Sequence, residues 1–247
     1  MAVAQKIRYR WLDILRGAAV VNMVAFHFCY DWFEVFARQP GWYFLWPSRL
    51  WQQAICCTFI LTAGFSAYLG RRALRHGLIL NLCGLAVSAV TLLALPSEAV
   101  RFGILNLLGC AVLLVWLLRP ALEKLPAAAG LCASLFLFAL TRHLPEGYLG
   151  LLRLWRQELP AGLYRWNILA FLGLPGPTFT SSDYFPLAPW FFLFLAGWFF
   201  CRLARPRLDG FLPRLSCPPL EWVGRHSLGL YLIHQPVCMA VCLLLNI

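Results

Sequence analysis

LDILRGAAVVNMVAFHFCYD, running from Leu12 to Asp31, is the stretch that decides the fold. It has the length of about 20 residues that crosses a bilayer core of roughly 30 Å, yet it carries Asp13, Arg16, His27 and Asp31. Continued to residue 36, this run is the first of seven; the others lie near 49–70, 77–95, 102–119, 127–142, 186–204 and 226–246. The run at 127–142 is the shortest. Leu163 to Leu174 is apolar but too short to span, and is expected to lie at the interface or to re-enter the membrane. Proline and glycine punctuate the joins, as at Pro40, Pro96, Pro126, Pro175 and Pro218.

Composition agrees. Of the 247 residues, 61% are hydrophobic and 13% charged, and the mean hydropathy is +0.70; a soluble chain keeps about 25% charged residues to cover its surface. These values exclude a soluble enzyme and a disordered scaffold. The net charge of +11 does not indicate nucleic-acid binding, because the basic residues sit in short clusters between apolar runs. The ten cysteines fall in or beside those runs without a CxxC pair, so they read as small buried hydrophobes. No metal or prosthetic-group signature is evident. Lys6, Arg8 and Arg10 precede a first run that contains Asp13 and Arg16 and lacks a small-residue cleavage site, so the first helix is expected to stay attached.

The fold class predicted is all-α: a polytopic integral membrane helical bundle of about seven transmembrane helices, forming a single domain over 1–247. Short cytoplasmic loops carry the excess of Lys and Arg. With the N-terminus inside, thirteen basic residues fall on inner segments and seven on outer ones, which predicts N-in, C-out. The long outer segment 142–185 then holds Trp155, Trp166 and a polar knot, Ser181, Ser182 and Asp183.

Ionisable residues inside spans are costly, at least about 2.5–3.5 kcal/mol at a helix centre, so each needs a reason. Placed at about 100° per residue from Asp13, Arg16, Gly17, His27 and Asp31 all fall within an arc of about 100°, one stripe along one helix face. Asn22 faces the opposite way. His27 lies roughly 21 Å along the axis from Asp13, so the stripe reaches from one membrane face toward the other. His27 and Asp31 stand at i and i+4, the spacing of a general base and its orienting carboxylate. They equally suit a buried histidine bonded to a neighbouring helix and an aspartate in headgroup water. Asp13 and Arg16 suit an i,i+3 ion pair at the inner interface.

The last span opens with Glu221, Gly224, Arg225, His226 and Ser227 and continues to Tyr231, His234, Gln235 and Pro236. Pro236 lacks an N–H and leaves the Leu232 carbonyl for another donor. The inner-loop clusters Arg71, Arg72, Arg75 and Arg202, Arg205, Arg207 are explained by positive-inside bias, or by an anionic cytosolic donor that guanidinium forks would hold. No Gly-rich phosphate loop accompanies them.

Taken together, Trp11-Leu12-Asp13-Ile14-Leu15-Arg16-Gly17, Met23 to His27, Tyr30-Asp31, Phe102-Gly103-Ile104-Leu105, Ser182 to Leu187, Pro189-Trp190 and Gly224-Arg225-His226-Ser227-Leu228 through Pro236 resemble the bacterial branch of the heparan-α-glucosaminide N-acetyltransferase catalytic-domain family. The resemblance covers nearly the whole chain. It implies a transmembrane acyltransferase of a bacterial inner membrane, taking acetyl from cytosolic acetyl-CoA, its co-substrate, to an amino or hydroxyl group of a sugar-like acceptor on the far side. For that reaction the stripe and the last span supply the groups: His27, Asp31 and His234 are assigned to catalysis, and Asp13, Arg16, Arg71, Arg72, Arg225, His226 and Ser227 to the donor. Asp183, Tyr184, Tyr231 and Gln235 are assigned to the acceptor side. Two positions depart from the family pattern: the loop Ala37 to Ser48 has no histidine where the lysosomal enzyme carries one, and Asn106 stands where bacterial members often have histidine. Two other classes compete with the enzyme: a carrier or permease for a small sugar or acid, and a structural membrane subunit whose polar residues lock helices together. Transporters commonly show inverted repeats, which this sequence lacks.

Overall fold

In a computed structural model, described over residues 9–36, 38–151, 154–211 and 215–245, seven helical segments are long and apolar enough to cross a membrane. They are Arg10–Val35, Trp46–Leu69, Ala73–Ala94, Ile104–Leu122, Ala127–Glu146, Leu187–Arg205 and Ser227–Leu245. Each overlaps one of the seven predicted runs, and the chain is an all-α polytopic membrane protein. Lys6, Arg8, Arg153 and Arg214, which enter the charge count, and Ala37 of the first loop lie outside the described residues.

The helices are α1 (Arg10–Tyr30), α2 (Trp46–Leu69), α3 (Ala73–Ala94), α4 (Ile104–Leu122), α5 (Ala127–Leu140), α6 (Leu187–Phe211), α7 (Pro218–Arg225) and α8 (Ser227–Leu245). α1 continues as a π-helical turn, Asp31–Val35. Two short strands, β1 (Tyr148–Leu151) and β2 (Trp155–Glu158), pair antiparallel between α5 and α6. The apolar stretch from Leu163 forms no span; two 3-10 segments, Ala161–Tyr164 and Asn167–Leu172, occupy it.

The last span begins later than the sequence predicts, at Ser227. Glu221 to Arg225 do not open the last span but form the separate amphipathic helix α7, with prolines in its first turn. His226 is the non-helical joint before α8. Proline at the first helical positions is preset for a helix start, so Pro218 and Pro219 begin a new helix there.

The chain divides into two compact units, one made of residues up to Thr62 and from Arg205, the other of Ala63–Ala204. In the first, Val20, Met23 and Phe26 of α1 meet Ile55 of α2, with Val223, Leu230 and Tyr231 packed against them. Lipid tails are as apolar as these side chains, so close packing rather than water exclusion holds such helices together. The closest approach is between α1 and α7. A Cβ on Gly17 would fall on the Leu220 carbonyl oxygen, and one on Gly224 would fall on the Asp13 carbonyl oxygen. Only glycine permits backbones this close.

In the second unit α3 and α4 pair through polar side chains set among small residues. Asn106 Nδ2 donates to the Asn81 carbonyl at 3.5 Å, and Cys110 Sγ to Asn81 Oδ1 at 3.4 Å. The start of α4 is capped from afar: Asp183 Oδ2 accepts from Ile104 N at 3.3 Å, and Ser181 Oγ accepts from Arg101 N at 2.9 Å. Its other end is capped by Arg202, whose guanidinium donates to the carbonyls of Leu122, Glu123 and Leu125 at 3.1, 2.8 and 2.7 Å. The Leu122 carbonyl also accepts from Leu125 N at 3.3 Å, and the guanidinium adds donors at a helix end where carbonyls outnumber intrahelical N–H groups.

Candidate active site

Two groups of the predicted residues meet in the first unit. At the C-terminal end of α1, the His27 ring stands edge-on to the His234 ring of α8, centroids 4.7 Å apart at 63°. Asp31, wholly buried, accepts at Oδ1 from Gln235 Nε2 at 2.8 Å. The sequence pairs His27 with Asp31 along one helix; the structure ties each of them to α8. Helical periodicity explains why. His27 and Asp31 are one turn apart on α1, His234 and Gln235 are adjacent on α8, and two such pairs face each other where the helices touch.

His234 Nδ1 contacts the Tyr231 carbonyl. A carbonyl only accepts, so Nδ1 carries the proton, and in the neutral ring Nε2 is the lone-pair nitrogen. Nε2 is buried and makes no hydrogen bond among the described residues, nor does Gln235 Oε1. The Tyr231 ring packs beside His234 at 5.3 Å. His234 Nε2 and Gln235 Oε1 are both acceptors, so a group that meets them has to donate.

The π turn that follows makes Asp31 its first residue; such turns recur at functional sites. Three residues on, Glu34 accepts from Gly41 N at 3.1 Å and Tyr43 N at 2.6 Å, folding the following loop back over the helix end. Trp42 and Trp51 then lie 5.5 and 5.4 Å from the Phe26 ring. Asn22, on the opposite face of α1, accepts from Trp51 Nε1 at 3.0 Å and so fastens α1 to α2.

The second group lies at the α1–α7 crossing. Asp13 and Glu221 are both buried. Arg16 Nη1 pairs with Asp13 Oδ1 at 3.3 Å, and Arg225 Nη2 stands 3.9 Å from Glu221 Oε2. Arg225 Nε also donates to the Glu221 carbonyl at 3.1 Å. Glu221 further accepts at Oε1 from Ser216 Oγ at 3.0 Å and Cys217 N at 3.2 Å, which fixes the turn into α7. His226 Nδ1 lies 2.8 Å from the Trp222 carbonyl, and the imidazole leans on that indole with centroids 4.5 Å apart at 35°. Arg225 and His226 are exposed, and Ser227 opens α8 beside them. Glu221 was not among the predicted site residues; its i,i+4 spacing to Arg225 is the signal that marks it.

Arg71, Arg72, Asp183 and Tyr184 belong to the second unit. Arg71 and Arg72 are exposed at the α2–α3 junction. Asp183 caps α4, as described. The Tyr184 hydroxyl donates to the Ala170 carbonyl, and Tyr164 OH to the Leu144 carbonyl at 2.6 Å. Burial pushes both phenols above the ordinary tyrosine range, with the nearby Tyr164 adding to the effect on Tyr184. Arg202, one of the inner-loop arginines, is engaged by the end of α4.

The sequence profile of a family described as heparan-alpha-glucosaminide N-acetyltransferase, catalytic, matches residues 8–236. No curated protein and no solved structure matches the chain.

Proposed function

The chain belongs to the heparan-alpha-glucosaminide N-acetyltransferase catalytic family, and on that premise we propose that it moves an acetyl group from cytosolic acetyl-CoA to an amino or hydroxyl group of a sugar-like acceptor at the outer face of a bacterial inner membrane. Residues 1–247 act in this reading as one acyltransferase domain, with the N-terminus inside. The observation that carries it is the meeting of His27 with His234 beside the buried Asp31–Gln235 pair. Two imidazoles and a carboxylate inside a membrane are costly to keep, and together they form a general base.

In this reading the acceptor brings its N–H or O–H to the imidazole pair, with His27 at the acceptor and His234 presenting Nε2 beside it. The imidazole removes the proton as the acceptor atom attacks the thioester carbonyl. The new N–C or O–C bond forms, the C–S bond breaks, and the coenzyme leaves as a thiolate that takes up a proton. Asp31 favours the transient imidazolium by its charge. The set of acceptor atoms there, with Tyr231 and Gln235, suits a donor-rich amine or polyol. Asp183 and Tyr184, in the second unit, hold their own segments in place there.

The donor is assigned to the opposite end of the stripe. Exposed Arg225 and His226, with Arg16, Asp13 and Ser227, lie around the α1–α7 crossing, and guanidinium groups match phosphate oxygens in pairs. Binding of [¹⁴C]acetyl-CoA to the detergent-purified chain tests this assignment. Saturable binding that is lost in Arg16→Ala and Arg225→Ala but kept in His27→Ala is expected. Absence of binding to folded wild-type protein would overturn it.

A further inference from the structure

Between α5 and α6 the chain leaves the membrane for about forty residues and displays side chains that a water-facing loop would hide. Leu154 is 86% exposed, Ile168 76% and Trp166 64%, and Trp155, Leu163 and Phe171 are exposed as well. Both ends of the segment join helices long and apolar enough to span, Ala127–Glu146 and Leu187–Arg205. The segment is therefore tethered at the membrane surface on both sides.

Its backbone restricts how deep it can go. β1 and β2 form a two-stranded sheet, so each strand has an outer edge whose N–H and C=O groups the sheet itself does not pair. Hydrocarbon does not tolerate such edges. Arg156 pairs with Glu158 at 2.6 Å and lies over the Tyr148 ring at 3.9 Å, while the Arg165 guanidinium lies over Trp166 at 5.3 Å. Charges next to aromatic rings, with apolar neighbours, belong where water and acyl chains meet, and tryptophan and tyrosine concentrate there. Apolar exposure argues against a water-facing loop, and open edges with ion pairs argue against a re-entrant one.

We propose that the 154–172 segment is a lipid-docking surface. Leu154, Trp155, Trp166 and Ile168 insert into the headgroup and upper acyl layer of the phospholipid leaflet, Arg165 sits at phosphate level, and the Arg156–Glu158 pair stays in water. The surface depends on the membrane topology and not on the acyltransferase reading.

The test is depth measurement by electron paramagnetic resonance. A ketone-bearing amino acid is placed by codon suppression at 154, 168 or 158 and labelled with a hydroxylamine nitroxide, which leaves the ten cysteines untouched. The protein is reconstituted in vesicles of equimolar phosphatidylcholine and phosphatidylglycerol. Dissolved oxygen is expected to dominate relaxation at 154 and 168, and the water-soluble nickel reagent at 158. In Leu154→Asp/Trp166→Asp protein, the label at 168 is expected to shift toward nickel. Nickel dominance at all three positions in the otherwise unaltered chain would show that the segment stands off the membrane. Oxygen dominance at all three would show that it re-enters. Either result overturns the proposal.

Discussion

Replacing Gly17 or Gly224 with alanine tests the crossing that holds the two halves of the charged group together. On a free helix alanine is favoured over glycine by about 1 kcal/mol. Here the new Cβ would overlap the Leu220 or the Asp13 carbonyl oxygen, so α1 and α7 must part by about 1 Å, which forfeits a quarter to a half of each dispersion contact. Overpacking costs about 1–3 kcal/mol; a backbone carbonyl cannot turn aside, which puts the cost at the upper end, and after the helix-propensity gain the net loss for either substitution is about 2 kcal/mol. At about 2–4 °C per kcal/mol for a chain of this size, each variant should melt about 4–8 °C below wild type. The two glycines face the same gap, so once the first methyl has parted the helices the second fits. The double variant meets that separation cost once and gains the helix preference twice, so it should lose about 1 kcal/mol rather than the sum of about 4, a coupling of roughly 3 kcal/mol. Thermal melts followed by circular dichroism in one detergent measure all four corners of the cycle. Additive losses, or unchanged melting in either single variant, would refute the close crossing.

Gln235→Leu should cost about 1.5–3 kcal/mol, the worth of a hydrogen bond to a charged group, whereas Asp31→Asn should keep the fold, because an amide at 31 still offers an acceptor to Gln235. Under the proposed chemistry Asp31→Asn should slow acetyl transfer by about 10²-fold or more, so loss of activity without loss of melting temperature separates charge from structure. Arg202→Ala should lower the melting temperature and Arg202→Lys should restore it only in part, since one ammonium cannot reach three carbonyls spread over the end of α4. Asp183→Ala should cost about 1 kcal/mol as a lost cap and lower stability in the same detergent melts. Alkaline titration followed by tyrosinate absorbance should find Tyr164 and Tyr184 among the last phenols to ionise. Their raised values favour the neutral form in the folded state, so this stabilisation is present below about pH 10 and is lost as pH rises through the folded-state values; Tyr184→Phe should flatten that loss.

The spans were legible because each is a continuous apolar run, and hydropathy needs no tertiary information to find one. The stripe on α1 was legible for a related reason: a polar residue in a membrane helix is rare enough that its angular position carries meaning. Asn22, predicted to face away from the stripe, does so and binds Trp51. The partner choices were not legible. Spacing along α1 suggests His27 with Asp31, but which residue of α8 meets each depends on how the two helices are rotated against each other, which no single run encodes. From sequence, α7 merges with the last span because Glu221 and Arg225 continue the helical spacing across His226, and only the Pro218-Pro219 start marks a separate helix. The capping roles of Asp183 and Arg202 join residues about eighty positions apart. Local pattern gives them no signal, so they read as a polar knot and a topology charge. Strands β1 and β2 are each too short for strand periodicity to stand out.

The proposed reaction has the His27–His234 pair take the acceptor proton during acetyl transfer from acetyl-CoA. Its most direct test is transfer of [¹⁴C]acetyl from acetyl-CoA to an amino sugar in proteoliposomes, with donor and acceptor on opposite sides, for wild type, His27→Ala and His234→Ala of matched folding. Wild type should label the acceptor across the membrane, and both variants should lose at least about 10²-fold of that rate while still binding the donor. Acetylation that persists in both variants, or its absence in folded wild type with amino and hydroxyl acceptors alike, would contradict the account.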